Sequence, residues 1–284
     1  MCPDMLNFSA FKKKICIYGI YFLLVMQVLS IISFSACEKH ESNTGSRREV
    51  SAYSELTIPV VSSCNLDVEC DYGNFEFYNW DKKEVKFEIT YKVRGSRTKV
   101  ELDKILKKFG TTVYEESGVI KFICSYKGPE GKYEDTFSVV KIFMPGRTSS
   151  VECALKQGKL NFLDDLDCDL KIDVGKAEVE INRLKGGIRY NGKSANLRIS
   201  SGVLKNNSSI ITSTGNIRIK SFFENPGSFA FNTGTGIIEL TIPLDLNAVF
   251  ESNGRIDSVQ AVSSDAVSTF LVKCGLGKIN INRF

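Results

Sequence analysis

The sequence predicts an all-β chain: a parallel β-helix, a solenoid-like stack of short strands, with a small helix-plus-hairpin insertion. Three observations predict it. In the second half, segments 170–174, 177–181, 188–190, 197–199, 217–220, 238–242 and 279–282 each alternate apolar and polar residues. Such alternation buries one face of a strand and wets the other. Glycines mark the corners between these segments, at Gly158, Gly175, Gly192, Gly215, Gly236, Gly254 and Gly277. Tight corners often need positive φ, which glycine adopts without strain. Helical periodicity is confined to one stretch. Repetition at this density argues for coils stacked on coils. The uneven glycine spacing implies irregular turns and excludes a strict hexapeptide or nonapeptide repeat.

The elements follow in chain order. Lys12, Lys13 and Lys14 precede an uncharged run, 15–36, that ends Ser33-Phe34-Ser35-Ala36 before Cys37. A basic start, an apolar run and small residues before a break describe an export signal over 1–36. Cys37 directly after Ser35-Ala36 resembles the bacterial lipoprotein signal, with Phe34 where Leu is usual. The resemblance implies a lipid on Cys37 that holds the chain to a membrane. The alternative is an uncleaved transmembrane anchor, since the run is long enough to span a bilayer. Both place the rest of the chain in the cell envelope, outside the cytoplasmic membrane. Residues 37–50 are polar and read as the lipidated Cys and a flexible tether.

Residues 51–284 form the expected β-helix domain. Its first strands are 56–60, 66–70, 75–78 and 85–91. An insertion over about 93–136 begins with a helix capped by Ser96 or Thr98 and running to about Lys108. Val100, Leu102, Ile105, Leu106 and Phe109 supply its apolar stripe, and Gly110 its stop. A strand pair, 112–115 and 119–124, follows. The apolar strand 138–145 ends at Pro145.

Composition narrows the function classes. The net charge is +4, and removing the signal takes away three lysines and one aspartate, so nucleic acid is not an expected partner. The only His is His40, in the tether, which argues against zinc and against His-based triads. Of nine Cys, Cys2 and Cys16 leave with the signal and Cys37 takes lipid. Cys64, Cys70, Cys124, Cys153, Cys168 and Cys274 remain, either as small core residues or as one or two disulfides.

The segments 213–219, 232–240 and 252–256 repeat a Ser- or Thr-rich turn, Gly and an alternating strand. With 142–145 before them, they resemble the bacterial putative-adhesin β-helix family over about 51–284. The resemblance implies a non-catalytic module that binds a cell-surface glycan or protein. It carries over no catalytic residue and no cofactor. A structural or envelope-signalling accessory is the second expectation, and a carbohydrate-active enzyme the third.

Several motifs compete for attention. Residues 187–194 match the phosphate-loop string, yet Ile188 and Tyr190 alternate as a strand and no helix follows. Asp164, Asp165, Asp167 and Asp169 crowd one corner and are the candidate calcium ligands, although no Gly lies among them. Trp80, Tyr78 and Tyr72 are the candidate ligand-binding aromatics, suited to stacking on sugar rings. Trp80 leads, because it is the sole Trp and sits at a strand end.

Overall fold

Apolar–polar alternation becomes strand almost throughout, and helix once. The computed structural model describes residues 43–44, 47–61, 63–128, 136–253 and 268–284. Cys37 and the expected signal, 1–36, lie outside these residues. The elements are β1 (Asn43–Thr44), β2 (Arg47–Pro59), β3 (Asn65–Trp80), β4 (Glu84–Gly95), α1 (Lys99–Leu106), β5 (Phe109–Glu116), β6 (Val119–Tyr126) and β7 (Thr136–Pro145). They continue as β8 (Ser150–Leu166), β9 (Asp169–Gly186), β10 (Ile188–Leu204), β11 (Ser208–Thr214), β12 (Ile217–Lys220), β13 (Phe222–Phe223), β14 (Ser228–Ile242), β15 (Ala248–Ser252) and β16 (Ser268–Arg283). All sixteen described strands join one sheet, ordered β1-β2-β4-β7-β3-β8-β9-β10-β11-β14-β16-β15, with β5, β6, β12 and β13 off that path.

The fold is therefore nearly all β, as expected, with three differences. First, only part of the sheet is parallel. β3, β8, β9, β10, β11, β14 and β16 pair in parallel, whereas β2, β4 and β7 are antiparallel, as are β5 and β6. The physical reason is the short link from β3 to β4, which reverses the chain and leaves a gap that β7 fills, parallel to β3. Second, the strands are long. β9 spans 18 residues and β10 spans 17, because hydrogen bonding continues through the glycine corners. Third, β2 begins at Arg47, within the stretch expected as tether, and buries Val50.

Side-chain bonds between neighbouring rungs of the parallel ladder join residues 18, 19, 20 or 21 apart in sequence. One column of register partners runs Gly73, Gly158 and Ala177, and another pairs Gly236 with Gly277. At Gly236 φ is 152°, and an added Cβ would stand 2.0 Å from the Gly215 carbonyl oxygen. No side chain fits there. Beside it runs an interior column: Cys70, Leu155, Val174, Gly192, Thr212, Thr233, Cys274. Bending turns carbonyls out of the ladder, and each needs a donor. Thr233 Oγ1 donates to the Gly215 and Thr235 carbonyls at 2.9 and 3.2 Å, and Cys274 Sγ to Gly236 O at 3.4 Å.

The core lies on the inward parity of these strands. Phe77 stacks on Phe162 at 4.3 Å and Phe87 on Phe122 at 4.9 Å. Phe223, Phe229 and Phe250 gather around Phe270 further along the ladder. Each buried Phe contributes about 1.5–3 kcal/mol. A smaller core of Val50, Val93, Leu102 and Ile105 seats α1. Thr98 caps α1 in a reciprocal box with Glu101, but Lys107 ends it, so Gly110 lies in β5. Val100, expected on the apolar face, is 64% exposed.

Candidate functional site

The outward parity of β3, β7 and β4 carries an aromatic platform. Tyr78 is the register partner of Phe143, Trp80 of Pro145, and Phe143 of Lys86. The Tyr78 and Phe143 rings stack at 4.9 Å and 15°, and Trp80 tilts onto Phe143 at 5.5 Å. All three rings are half-buried. Cross-strand aromatic pairs of this kind hold their own geometry. Lys82 Nζ stands 4.7 Å from the Trp80 ring, and Lys86 Nζ 5.4 Å from Phe143.

Polar groups rim the rings. Tyr78 OH donates to Glu76 Oε2 at 2.7 Å, and Trp80 Nε1 donates to Glu84 O at 2.7 Å. Lys86 bridges Glu88 at 2.6 Å and Glu55 at 3.5 Å. Burial, then the hydrogen bond to Glu76 and nearby carboxylates, pushes the Tyr78 phenol up to about 12. The hydrogen bond to Glu88 leads in raising Lys86. Rings, carboxylates and ammonium groups thus share one face. That arrangement offers apolar ring surface edged by hydrogen-bonding groups.

The structure brings Tyr78 and Trp80 together, each against Phe143. Sequence reasoning missed Phe143. Its signal was parity: Val140, Ile142 and Met144 are buried, so Phe143 between them faces out. Tyr72 does not join them. It lies earlier on β3, before Gly73, opposite Gln157.

The four aspartates are dispersed among structural partners. Asp164 Oδ2 accepts from Asn79 N at 2.9 Å, Asp165 pairs with Arg183 at 2.9 Å, and Asp167 pairs with Lys185 at 3.4 Å. Asp169 Oδ1 accepts from Gly187 N at 2.7 Å. Among the described residues, no group of three or more His, Cys, Asp or Glu is placed to hold a metal ion. The phosphate-loop string falls in β10, with its Gly192 inside a strand. Among the described residues no helix is long and apolar enough to cross a membrane.

A concavity of about 610 Å³ opens beside Glu69, Cys70 and Asp71 of β3. Asp71 and Lys156, paired at 2.8 Å, lie on it with Lys193, and Cys70 and Cys124 line its wall. All six described cysteines are buried free thiols.

Fold and platform together define an all-β module that presents an aromatic surface. No protein-family model and no curated protein matches the chain. Among solved structures, it is similar to a putative cell adhesion protein from Clostridium sporogenes, at 13% identity and TM-score 0.35, over 82% of this chain and all of that one. It is also similar to a putative adhesin from Parabacteroides distasonis, at 12% identity and TM-score 0.37, over 81% of this chain and 96% of that one. A putative lipid binding protein from the same organism aligns at 12% identity and TM-score 0.34, over 80% and 96%. Two of these three carry the adhesin or cell-adhesion description that the resemblance read from the turns also names. Identities this low and superpositions this loose say nothing of ligand or activity.

Proposed function

We propose that this chain is a non-catalytic module of the cell envelope, held to the membrane by lipid on Cys37, that binds a surface glycan on its aromatic platform. In this reading the parallel ladder winds as a β-helix, and its outer wall displays the platform. The single observation that supports it best is the stack of Tyr78, Phe143 and Trp80 on one outward face, rimmed by Glu76, Glu84, Lys82 and Lys86. Sugar rings offer an apolar face and a polar edge, and this surface offers the complement of both. The engagement of all four aspartates in structural bonds favours binding over hydrolysis, which needs two carboxylates facing across a cleft.

The test immobilises residues 38–284, a compact unit, and passes purified wall polysaccharides over it. Saturable retention that Trp80→Ala abolishes supports the reading. No retention at about 100 µM protein, far above the range of specific contacts, removes it and leaves the accessory role. Membrane attachment is tested separately: Cys37→Ser should move the chain from the membrane fraction to the soluble one.

A further inference from the structure

Cys70 on β3 and Cys124 on β6 are direct register partners in a parallel pair. Neighbouring strands stand about 4.8 Å apart, within the ~4.4–6.8 Å between Cα atoms that a disulfide spans. Both side chains point to one spot. Each sulfur lies 3.7 Å from Ser138 Oγ. Among the described residues no other two cysteines are register partners. Cys64 sits on Thr148 and Cys274 on the Gly236 carbonyl. Burial is what raises the thiols of Cys153 and Cys168. Of the six, Cys70 and Cys124 alone line the 610 Å³ cavity.

The geometry points to a dithiol–disulfide exchange site: Cys70 and Cys124 react with a small disulfide entering the cavity and close on each other across β3 and β6. Cys124 attacks first. The neighbouring Cys70 leads in lowering its pKa, with Ser138 and Tyr91 helping against burial, and Cys124 in turn leads in raising that of Cys70. The Cys124 thiolate forms a bond to one sulfur of the small disulfide, whose S–S bond breaks and releases one thiolate. Cys70 then attacks the Cys124 sulfur in the mixed disulfide. The Cys70–Cys124 bond forms, and the second thiolate leaves. The protein loses two electrons and two protons, and the small disulfide gains both as two thiols. The new bond ties the β5–β6 hairpin to β3.

The experiment incubates the reduced full chain with oxidised glutathione, quenches with acid, alkylates the remaining thiols and maps the peptides. The expected result is a Cys70–Cys124 linkage formed about tenfold or more faster than any modification of the fully buried Cys153. Cys70→Ser should hold glutathione on Cys124 as a lasting mixed disulfide, and Cys153→Ser should change nothing. Both thiols still open to alkylation, or another cysteine linked first, overturns the proposal. Mapping the unaltered chain decides the question even where a variant fails to fold.

Discussion

Gly236→Ala probes the stacked corner most sharply. Its φ of 152° belongs to a region that residues with a side chain enter at a cost of about 1–3 kcal/mol. The new methyl would also meet the Gly215 carbonyl oxygen at 2.0 Å, so backbone must move. Overpacking of that kind costs a further ~1–3 kcal/mol. The sum, about 2–6 kcal/mol, is a large part of an ordinary stability of ~5–15 kcal/mol. Two controls separate the causes. At Gly118 φ is 76° and nothing stands within 4 Å, so Ala there feels strain alone, about 1 kcal/mol. Gly146 has open space and no positive φ, so Ala there stabilises by about 0.4–1 kcal/mol. Urea denaturation followed by circular dichroism orders the three, with Gly236→Ala shifted down by about 1 M or more. A Gly236→Ala midpoint within error of Gly146→Ala would refute the stacked-corner geometry.

Three further outcomes are expected. Thr233→Val leaves the Gly215 and Thr235 carbonyls without their hydroxyl donor and should cost about 1–3 kcal/mol by the same denaturation assay. Asp67 has its pKa raised, by burial first and then by Glu69 and Glu152. The folded state therefore binds its proton more tightly, and stability falls as pH rises from the unfolded pKa through the folded one. Asp67→Asn should raise the melting temperature at pH 7, with the gain vanishing below the usual carboxylate range. Glu101 has its pKa lowered, first by the Thr98 hydroxyl, so its support for α1 is present above the unfolded pKa and lost as pH falls through the folded one. Hydrogen-exchange protection in α1, measured against the intrinsic rate at each pH, should fall at acid pH, and Glu101→Gln should remove that dependence.

Local pattern made much of this fold readable. Alternation in 170–181 and 188–199 became β9 and β10 because each polar position faces water and each apolar one the core. Of the two candidate caps, Ser96 and Thr98, the structure uses Thr98 to start α1. What stayed hidden depends on distant partners. That β7 slips between β3 and β4 is a choice among pairings that no local pattern encodes. Glycine corners suggested strand ends, yet the ladder runs on through them, since glycine bends the chain without giving up its hydrogen bonds. Trp80 and Tyr78 were visible as aromatics, but their union with Phe143 required the register of β3 against β7. The opposition of Cys70 and Cys124 likewise exists only once β6 pairs with β3.

Trp80 is the sole tryptophan, so its fluorescence reports the platform directly. The decisive measurement is a titration of the chain with purified surface glycans, read at the tryptophan emission. A saturable change in intensity or wavelength, lost in Phe143→Ala while the circular dichroism is kept, is what glycan stacking on the platform predicts. An emission that stays flat up to about 1 mM glycan, where even weak sites fill, contradicts it.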